Sequence, residues 1–346
     1  MEAPKYSILE TIKINKVTIY QYGFGNAFCY RQKMFDTVKI WLAKENTPYT
    51  DLLTEVAPLI DVYDEKDSRK FGPCVLGKVN NLHVDIKETG LWVTGSLCKF
   101  FYGNNLKTLD RRTTKDAIMM LSDTLHLPFD LARVSRIDFS ENIYVEKVPA
   151  EYLKCFGNAS RYEKRVYPFG LNYINGRRKI VFYDKVKELK KHDKPTFATI
   201  EPGKNILRYE VQLVKYLLQQ FNMPKLLLSM IHEEGFYSQC LSIWEREYLK
   251  VHKEKRIILN PVFSGNTKEF ENTIFHMGIN AAGGQNAVID LIDQGRMAGA
   301  SKMSIKRLKD KVQKANKAEQ LVVISDLTSE LDMKIKEVVA RERDAF

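Results

Sequence analysis

Between Met34 and Leu213 the chain repeatedly alternates apolar and polar residues at period two, whereas from Val214 onward its apolar residues recur at helical spacing. Successive side chains of a strand point to opposite faces, so each alternating run reads as a half-buried strand. Met34-Phe35-Asp36-Thr37-Val38-Lys39-Ile40-Trp41-Leu42 is the first clear one. Leu82 to Ile86 and Leu91 to Leu97 form a hairpin through Glu88-Thr89-Gly90. A further strand lies around Arg133 to Phe139. Leu171 to Ile174 and Arg178 to Tyr183 flank Asn175-Gly176, the pair favoured in a type I′ turn. Ile206 to Leu213 follows a polar connection with Pro195 and Pro202. Between the strands, Thr113 with Asp116 caps a helix that buries Ala117, Ile118, Leu121 and Leu125. Pro149 opens a shorter helix.

The expected fold is therefore α+β: a central antiparallel sheet of about five or more strands flanked by helices, with a helical C-terminal region. Three divisions follow: an N-terminal extension over 1–33, a main domain over 34–262 and a basic helical region over 263–346. Residues 1–33 hold one more strand candidate, Lys16 to Gln21, ahead of a Tyr22-Gly23-Phe24-Gly25 turn. They are either an extension or sequence upstream of a start at Met34.

Composition narrows the partners. The 54 Lys and Arg outnumber the 43 Asp and Glu, for a net charge of +11. That excess favours a polyanion through phosphate neutralisation, with a merely basic surface as the alternative. No apolar run approaches the roughly 18 residues that span a bilayer, and no secretory signal opens the chain, so the expectation is a cytoplasmic protein with no membrane partner. The five cysteines are scattered and never paired as Cys-x-x-Cys, which disfavours disulfides and structural zinc. The histidines form no triad with serine and aspartate.

Three strands can be read for face. Arg136 and Asp138 share one face of their strand, with Ile137 and Phe139 opposite. Arg208 and Glu210 point away from Leu207, Tyr209, Val211 and Leu213. Ile180 and Phe182 leave Lys179, Val181, Tyr183 and then Lys185 on the other side. If these strands are neighbours, Asp138 and Glu210 are candidate oxygen ligands for a hard divalent cation, Mg²⁺ or Mn²⁺. Tyr183 is then a candidate oxygen nucleophile at a phosphate, and Lys185 a candidate for stabilising the tyrosinate or the developing negative charge. The plain alternative is cross-strand ion pairs, with Tyr183 as one packing tyrosine among 17. Tyr173, on the partner strand of the hairpin, is a rival nucleophile.

These same segments resemble the filamentous-phage-type replication initiators that start plus-strand synthesis, and related phage and plasmid initiators. The resemblance is carried by 34–42, by Gly95-Ser96-Leu97-Cys98-Lys99-Phe100 with Gly103-Asn104-Asn105, and by Val134 to Phe139. It continues through Phe182-Tyr183-Asp184-Lys185 to Glu188 and through Leu207-Arg208-Tyr209-Glu210, all in matching order over roughly 34–225. It implies a rolling-circle enzyme of the bacterial host cytoplasm that nicks one strand at an origin. The cut 5′ end is held on a tyrosine, which falls on Tyr183, a 3′-OH primer is left, and the ends are later rejoined. It also implies metal ligands at Asp138 and Glu210, with Glu188 as a third candidate, while Asp184 is an alternative cap for the following helix. One departure is plain: there is no His-hydrophobic-His strand, and His83-Val84-Asp85 is the nearest approach.

Arg136, Arg208, Lys99, Arg177 and Arg178 are candidate contacts to origin DNA, single-stranded or in supercoiled duplex. Lys99-Phe100-Phe101-Tyr102 and Arg161-Tyr162-Glu163-Lys164-Arg165 mix charge with rings in the manner of single-strand binders. A basic helix over Lys302 to Lys317 and a following helix over Asp326 to Arg343 are candidates for duplex binding and self-association. No Gly-x-x-x-x-Gly-Lys-Ser/Thr loop is present, so unwinding is expected from a host helicase. Two other functions fit the pattern: a non-enzymatic DNA-binding regulator, and a relaxase or transposase with the same tyrosine chemistry.

Overall fold

The computed structural model describes residues 34–68, 72–254, 266–297, 299–316 and 327–344, with short strands at 11–14, 17–20, 256–259 and 322–325. The strands are β1 (Thr11–Ile14), β2 (Val17–Tyr20), β3 (Phe35–Ala43), β4 (Asp61–Ser68), β5 (Gly72–Val79), β6 (Leu82–Lys87), β7 (Gly90–Ser96), β8 (Arg133–Val145), β9 (Phe156–Ala159), β10 (Glu163–Tyr167), β11 (Gly170–Ile174), β12 (Arg178–Asp184), β13 (Asn205–Leu213), β14 (Val251–Lys253), β15 (Arg256–Leu259) and β16 (Val322–Ser325). The helices are α1 (Leu52–Val56), α2 (Leu97–Tyr102), α3 (Arg111–Leu125), α4 (Pro149–Leu153), α5 (Lys185–His192), α6 (Lys194–Phe197), α7 (Leu217–Phe221), α8 (Glu234–Leu249), α9 (Thr267–Ala281), α10 (Gln285–Met297), α11 (Lys302–Asn316) and α12 (Leu327–Asp344).

The expected α+β architecture is present. Ten strands make one sheet in the order β10-β11-β12-β13-β8-β3-β7-β6-β5-β4, every neighbouring pair antiparallel. Its central strands separate two chemistries. Ile180 and Phe182 of β12, Tyr209 and Val211 of β13, and Ile137 and Phe139 of β8 are fully buried on one side. There the Phe182 and Tyr209 rings stack 4.7 Å apart, and Tyr209 meets Trp244 of α8 at 4.6 Å while donating its hydroxyl to the Trp244 carbonyl at 2.7 Å. Each such side chain contributes about 1.5–3 kcal/mol by leaving water. The opposite side of the same strands is polar.

A bulge alters this alternation in β3. Phe35 pairs with Phe139 but Val38 pairs with Ile137, so β3 carries one more residue than β8 between these contacts. Strict period two from Val38 would place Asp36 on the apolar side; the extra residue turns it to the polar side.

Several local expectations change. Asp110 caps α3, accepting from Thr113 N at 2.6 Å, while Thr113 Oγ1 accepts from Asp110 N at 2.9 Å; Thr113 is thus the third residue of the helix, in a capping box. The Asn175-Gly176 turn is not type I′, because neither residue has positive φ. Instead the Asn175 carboxamide oxygen accepts from Arg177 N at 2.9 Å and Arg178 N at 2.7 Å, an Asx turn. Tyr173 pairs with Ile180 and so faces the core, fully buried, with its hydroxyl donated to Gly157 O at 2.7 Å. Arg178 likewise shares a face with Ile180 and forms an ion pair with the fully buried Glu247 of α8.

Toward the C-terminus, β15 pairs with β16, so α9, α10 and α11 lie between two strands of one ribbon. They share a small apolar cluster around Ile279, Val312 and Ala315. After β16, α12 returns to the main core through Leu331, Ile335, Val338 and Val339. Glu330 accepts from the Tyr152 hydroxyl, and Glu342 from that of Tyr237 at 2.7 Å. Of the two expected C-terminal helices, Lys317 and Asp326 lie outside the described residues, as does the Tyr22-Gly23-Phe24-Gly25 turn. No helix among the described residues is long and apolar enough to cross a membrane.

Glu247 joins the start of β12 to α8, accepting from Arg178, from the Tyr162 hydroxyl at 2.6 Å and from Lys250 at 2.8 Å. Burial acts against its charge, but these donors outweigh burial and hold its carboxyl below the ordinary value of 4.5. Its contribution is therefore present above about pH 4.5 and is lost as pH falls through the lower folded value. Replacing Glu247 with Ala strands the Arg178 charge and is expected to cost about 3–5 kcal/mol in urea unfolding at pH 7. The difference from the parent should shrink on acidification.

Candidate active site

The polar side of the sheet is set by register. Tyr183 stands opposite Arg208 and Arg208 opposite Asn142; one row along, Val181, Glu210 and Ser140 align; the next row holds Lys179, Gln212 and Asp138. Directly paired residues project to the same face. The tyrosine and both carboxylates expected from the sequence therefore share one side of three adjacent strands.

Arg208 is the centre of this face and is fully buried. One terminal nitrogen donates to Asn105 O at 3.2 Å and Asn142 Oδ1 at 3.1 Å. The other donates to Asp36 Oδ2 and to Ser140 Oγ at 2.5 Å. Its Nε lies 3.5 Å from Glu210 Oε2. Burial opposes its charge, but the neighbouring Asp36 and Glu210 carboxylates hold the guanidinium firmly protonated. Asp36 is fixed in turn by the Ser96 hydroxyl, and Ser96 caps α2 by accepting from Lys99 N at 3.1 Å. α2 ends at Gly103, whose φ of 77° suits glycine, and the chain then lays Asn105 over Arg208. Asn142 clamps that loop, donating to Asn105 O at 3.2 Å and Leu106 O at 2.9 Å.

Lys185 is also fully buried, at the start of α5, which Asp184 caps by accepting from Lys187 N at 3.0 Å. Its Nζ donates to Asn105 Oδ1 at 2.8 Å and Glu188 Oε2 at 2.7 Å, and lies 5.9 Å from the Tyr183 ring centre. Burial and then the nearby Arg208 charge depress its proton affinity, against the pull of Glu188. Tyr183 is held above the ordinary phenol range, first by burial and then by Glu210, Glu188 and Asp36, although Arg208 pulls the other way. It is a neutral phenol in this setting.

Asp138 is 1% exposed and accepts both ends of a bidentate contact from Arg136, at 2.9 and 2.7 Å. Burial pushes its carboxyl up to about 8 against that partner, helped by the Glu210 and Asp36 charges. Glu210 accepts from Gln212 Nε2 at 2.6 Å. Asp138 and Glu210 thus bring carboxyl oxygens to one side of the sheet, the donor chemistry of a hard divalent cation. Among the described residues no three acidic, histidine or cysteine side chains converge as a ready-made metal cage.

The Phage_CRI family model, which describes the N-terminal part of a phage replication-associated protein, matches residues 34–238, more than half of the chain. The chain belongs to this family. No curated protein matches it. A replication-associated role of the phage initiator kind follows. The matched span contains every residue of the Arg208 cluster.

Within this family member the remaining candidate residues are dispersed. Glu188 is brought to Lys185. Arg136, a third exposed, sits at the rim on Asp138. Arg208 was expected to touch DNA, but its burial commits it to Asp36, Ser140, Asn142 and Asn105 instead. Arg178 faces the opposite side of the sheet toward Glu247. Arg177 is exposed at the hairpin tip, over the Tyr216 ring at 5.6 Å. Lys99 is half-buried in α2, and its charge, with that of Lys185, is felt at Asp193. His83 and Asp85 lie on β6, three strands from β8, about 14 Å at ordinary strand spacing. Asp85 is engaged there by Lys87 at 3.2 Å and the Cys74 thiol at 3.1 Å.

Sequence reasoning missed Asp36, Ser140, Asn142 and Asn105. Asp36 and Asn105 lie in quoted family segments, and Ser140 and Asn142 extend the polar alternation of Arg136 and Asp138.

Arg208→Lys retains charge but not the planar fork that reaches these acceptors together. It is expected to lower unfolding free energy by about 3–5 kcal/mol, read as a shift of the urea midpoint. An unchanged midpoint would contradict the assignment of Arg208 as the organising residue.

Proposed function

We propose that this chain is a rolling-circle replication initiator that nicks one origin strand by transesterification onto Tyr183. The observation that carries the reading is the placement of Tyr183, Glu210 and Asp138 on successive rows of three adjacent strands, on the side that buries Arg208. The Tyr183 oxygen attacks the scissile phosphorus, the bond to the 3′ oxygen breaks, and the tyrosyl proton leaves for a base or solvent. The 5′ end stays on Tyr183 and the 3′-OH becomes a primer; the reverse exchange rejoins the ends.

Asp138 and Glu210 would hold Mg²⁺ or Mn²⁺, with Arg136 and Gln212 giving up their present contacts. A bound divalent ion supplies Lewis-acid polarisation of the phosphate. Lys185, uncoupled from Glu188 and still held by Asn105, can place positive charge beside the tyrosyl oxygen as negative charge develops there. The Arg208 guanidinium fixes the floor on which these groups stand and favours the tyrosinate over the phenol. Separation of the duplex is assigned to a host helicase.

Tyr183→Phe is expected to abolish the covalent protein–DNA adduct on supercoiled origin DNA with Mg²⁺ or Mn²⁺, because phenylalanine has no oxygen to bond phosphorus. Tyr173→Phe should keep it. Asp138→Asn and Glu210→Gln should each lose nicking while retaining DNA binding. Binding with no adduct in the parent protein would instead favour the non-enzymatic regulator.

A further inference from the structure

The row that contains Tyr183 continues outward across the sheet. Tyr183 pairs with Gly170 of β11, and Gly170 pairs with Tyr167 of β10, the edge strand. Paired residues share a face, so Tyr167 projects on the same side as Tyr183, two strand spacings or about 10 Å away. The position between them has no side chain and admits none. A Cβ on Gly170 would lie 2.5 Å from Phe182 O and 2.7 Å from Tyr183 Cβ. Bare backbone therefore floors the space between the two tyrosines.

The rim of that space carries exposed aromatic rings. Tyr167 is 48% exposed, and Phe169, in the turn joining β10 to β11, is 43% exposed. The turn is tied to the site, because Asp184 N donates to Phe169 O at 2.9 Å. Lys187, on the first turn of α5, stands over the Phe169 ring at 5.5 Å, and Arg165, two residues before Tyr167, projects to the same side. Two exposed rings flanked by cations, on the row of a phosphate-attacking tyrosine, match the needs of unpaired bases on a negatively charged backbone.

We propose that Tyr167 and Phe169 form a stacking platform for unpaired bases of the DNA strand whose phosphate is presented to Tyr183. This rests on reading Tyr183 as the nucleophile. Gly170 is the opening through which the backbone passes from the platform to Tyr183. Lys187 and Arg165 neutralise phosphates beside the stacked bases, exchanging their present contacts with Asp184 at 3.5 Å and Glu163 at 2.8 Å.

The test measures affinity of the full chain for a (dT)20 strand and for an abasic 20-mer by fluorescence anisotropy at fixed salt. Tyr167→Ala with Phe169→Ala should weaken (dT)20 binding by about 10- to 100-fold, the scale of base–aromatic stacking. Trp at both positions should restore it and Leu should not. The abasic strand should bind parent and Ala variant alike. Equal (dT)20 affinity of parent and Ala variant, or full rescue by Leu, would overturn the platform. So would loss of a concentration-dependent dimer in the Ala variant together with unchanged (dT)20 binding, which would assign the rings to a second copy of this chain. The adduct on supercoiled origin DNA is scored separately. Weakened binding with no adduct in the parent refutes nicking and leaves a base-stacking site; an adduct with unchanged binding refutes the platform and leaves nicking.

Discussion

A guanidinium with no access to water organises this protein. Removing Arg208 from solvent costs several kcal/mol, and its hydrogen bonds and ionic contacts must offset that cost with good geometry. The partners come from four separate stretches of chain: Asp36 from β3, Asn105 from the loop after α2, Ser140 and Asn142 from β8, and Glu210 from β13 itself. Lys185 joins through Asn105. Loss of one partner leaves charge buried without compensation, so the cluster tolerates little change in relative position. The segments that resemble phage initiators in the sequence are the ones that meet here.

The two faces of the sheet divide the work. Aromatic packing of Phe182, Tyr209, Trp244 and Tyr248 fixes β12 and β13 from behind, and Glu247 fastens the β11–β12 hairpin to α8. Side chains on strands held this way keep their positions more strictly than side chains on loops. Tyr183, Glu210 and Asp138 stand on such strands. The protein is basic as a whole, yet this face gathers Asp36, Asp138 and Glu210 on the side that buries Arg208 and Lys185, and burial, helped by the Glu210 and Asp36 charges, raises the Asp138 carboxyl.

The alternation of apolar and polar residues made Tyr183, Arg136, Asp138, Arg208 and Glu210 legible as residues of one polar face, because period two is a local property. Strand order is not local. Nothing near Asp138 says that β13 lies beside β8, and nothing near His83 says that three strands separate it from Arg136. Asp36 was hidden by the bulge before Val38, which breaks the period that face assignment relies on. Arg208 looked like a surface cation because most of its partners are distant in sequence and three are uncharged at the contact: a backbone oxygen of Asn105, the carboxamide of Asn142 and the hydroxyl of Ser140. Arg178 was misplaced for the same kind of reason, since Glu247 is 69 residues away. Tyr173 needed only the correct hairpin pairing, which sets it opposite Ile180.

The proposed nicking reaction requires Tyr183 to supply the oxygen of the covalent bond to DNA. The direct measurement is mass spectrometry of tryptic peptides from the full chain after reaction with supercoiled origin DNA and nuclease trimming. A nucleotide mass is expected on the peptide from Ile180 to Lys185, carried by Tyr183. A nucleotide on any other residue, or none on a protein that has nicked its DNA, would contradict that role for Tyr183.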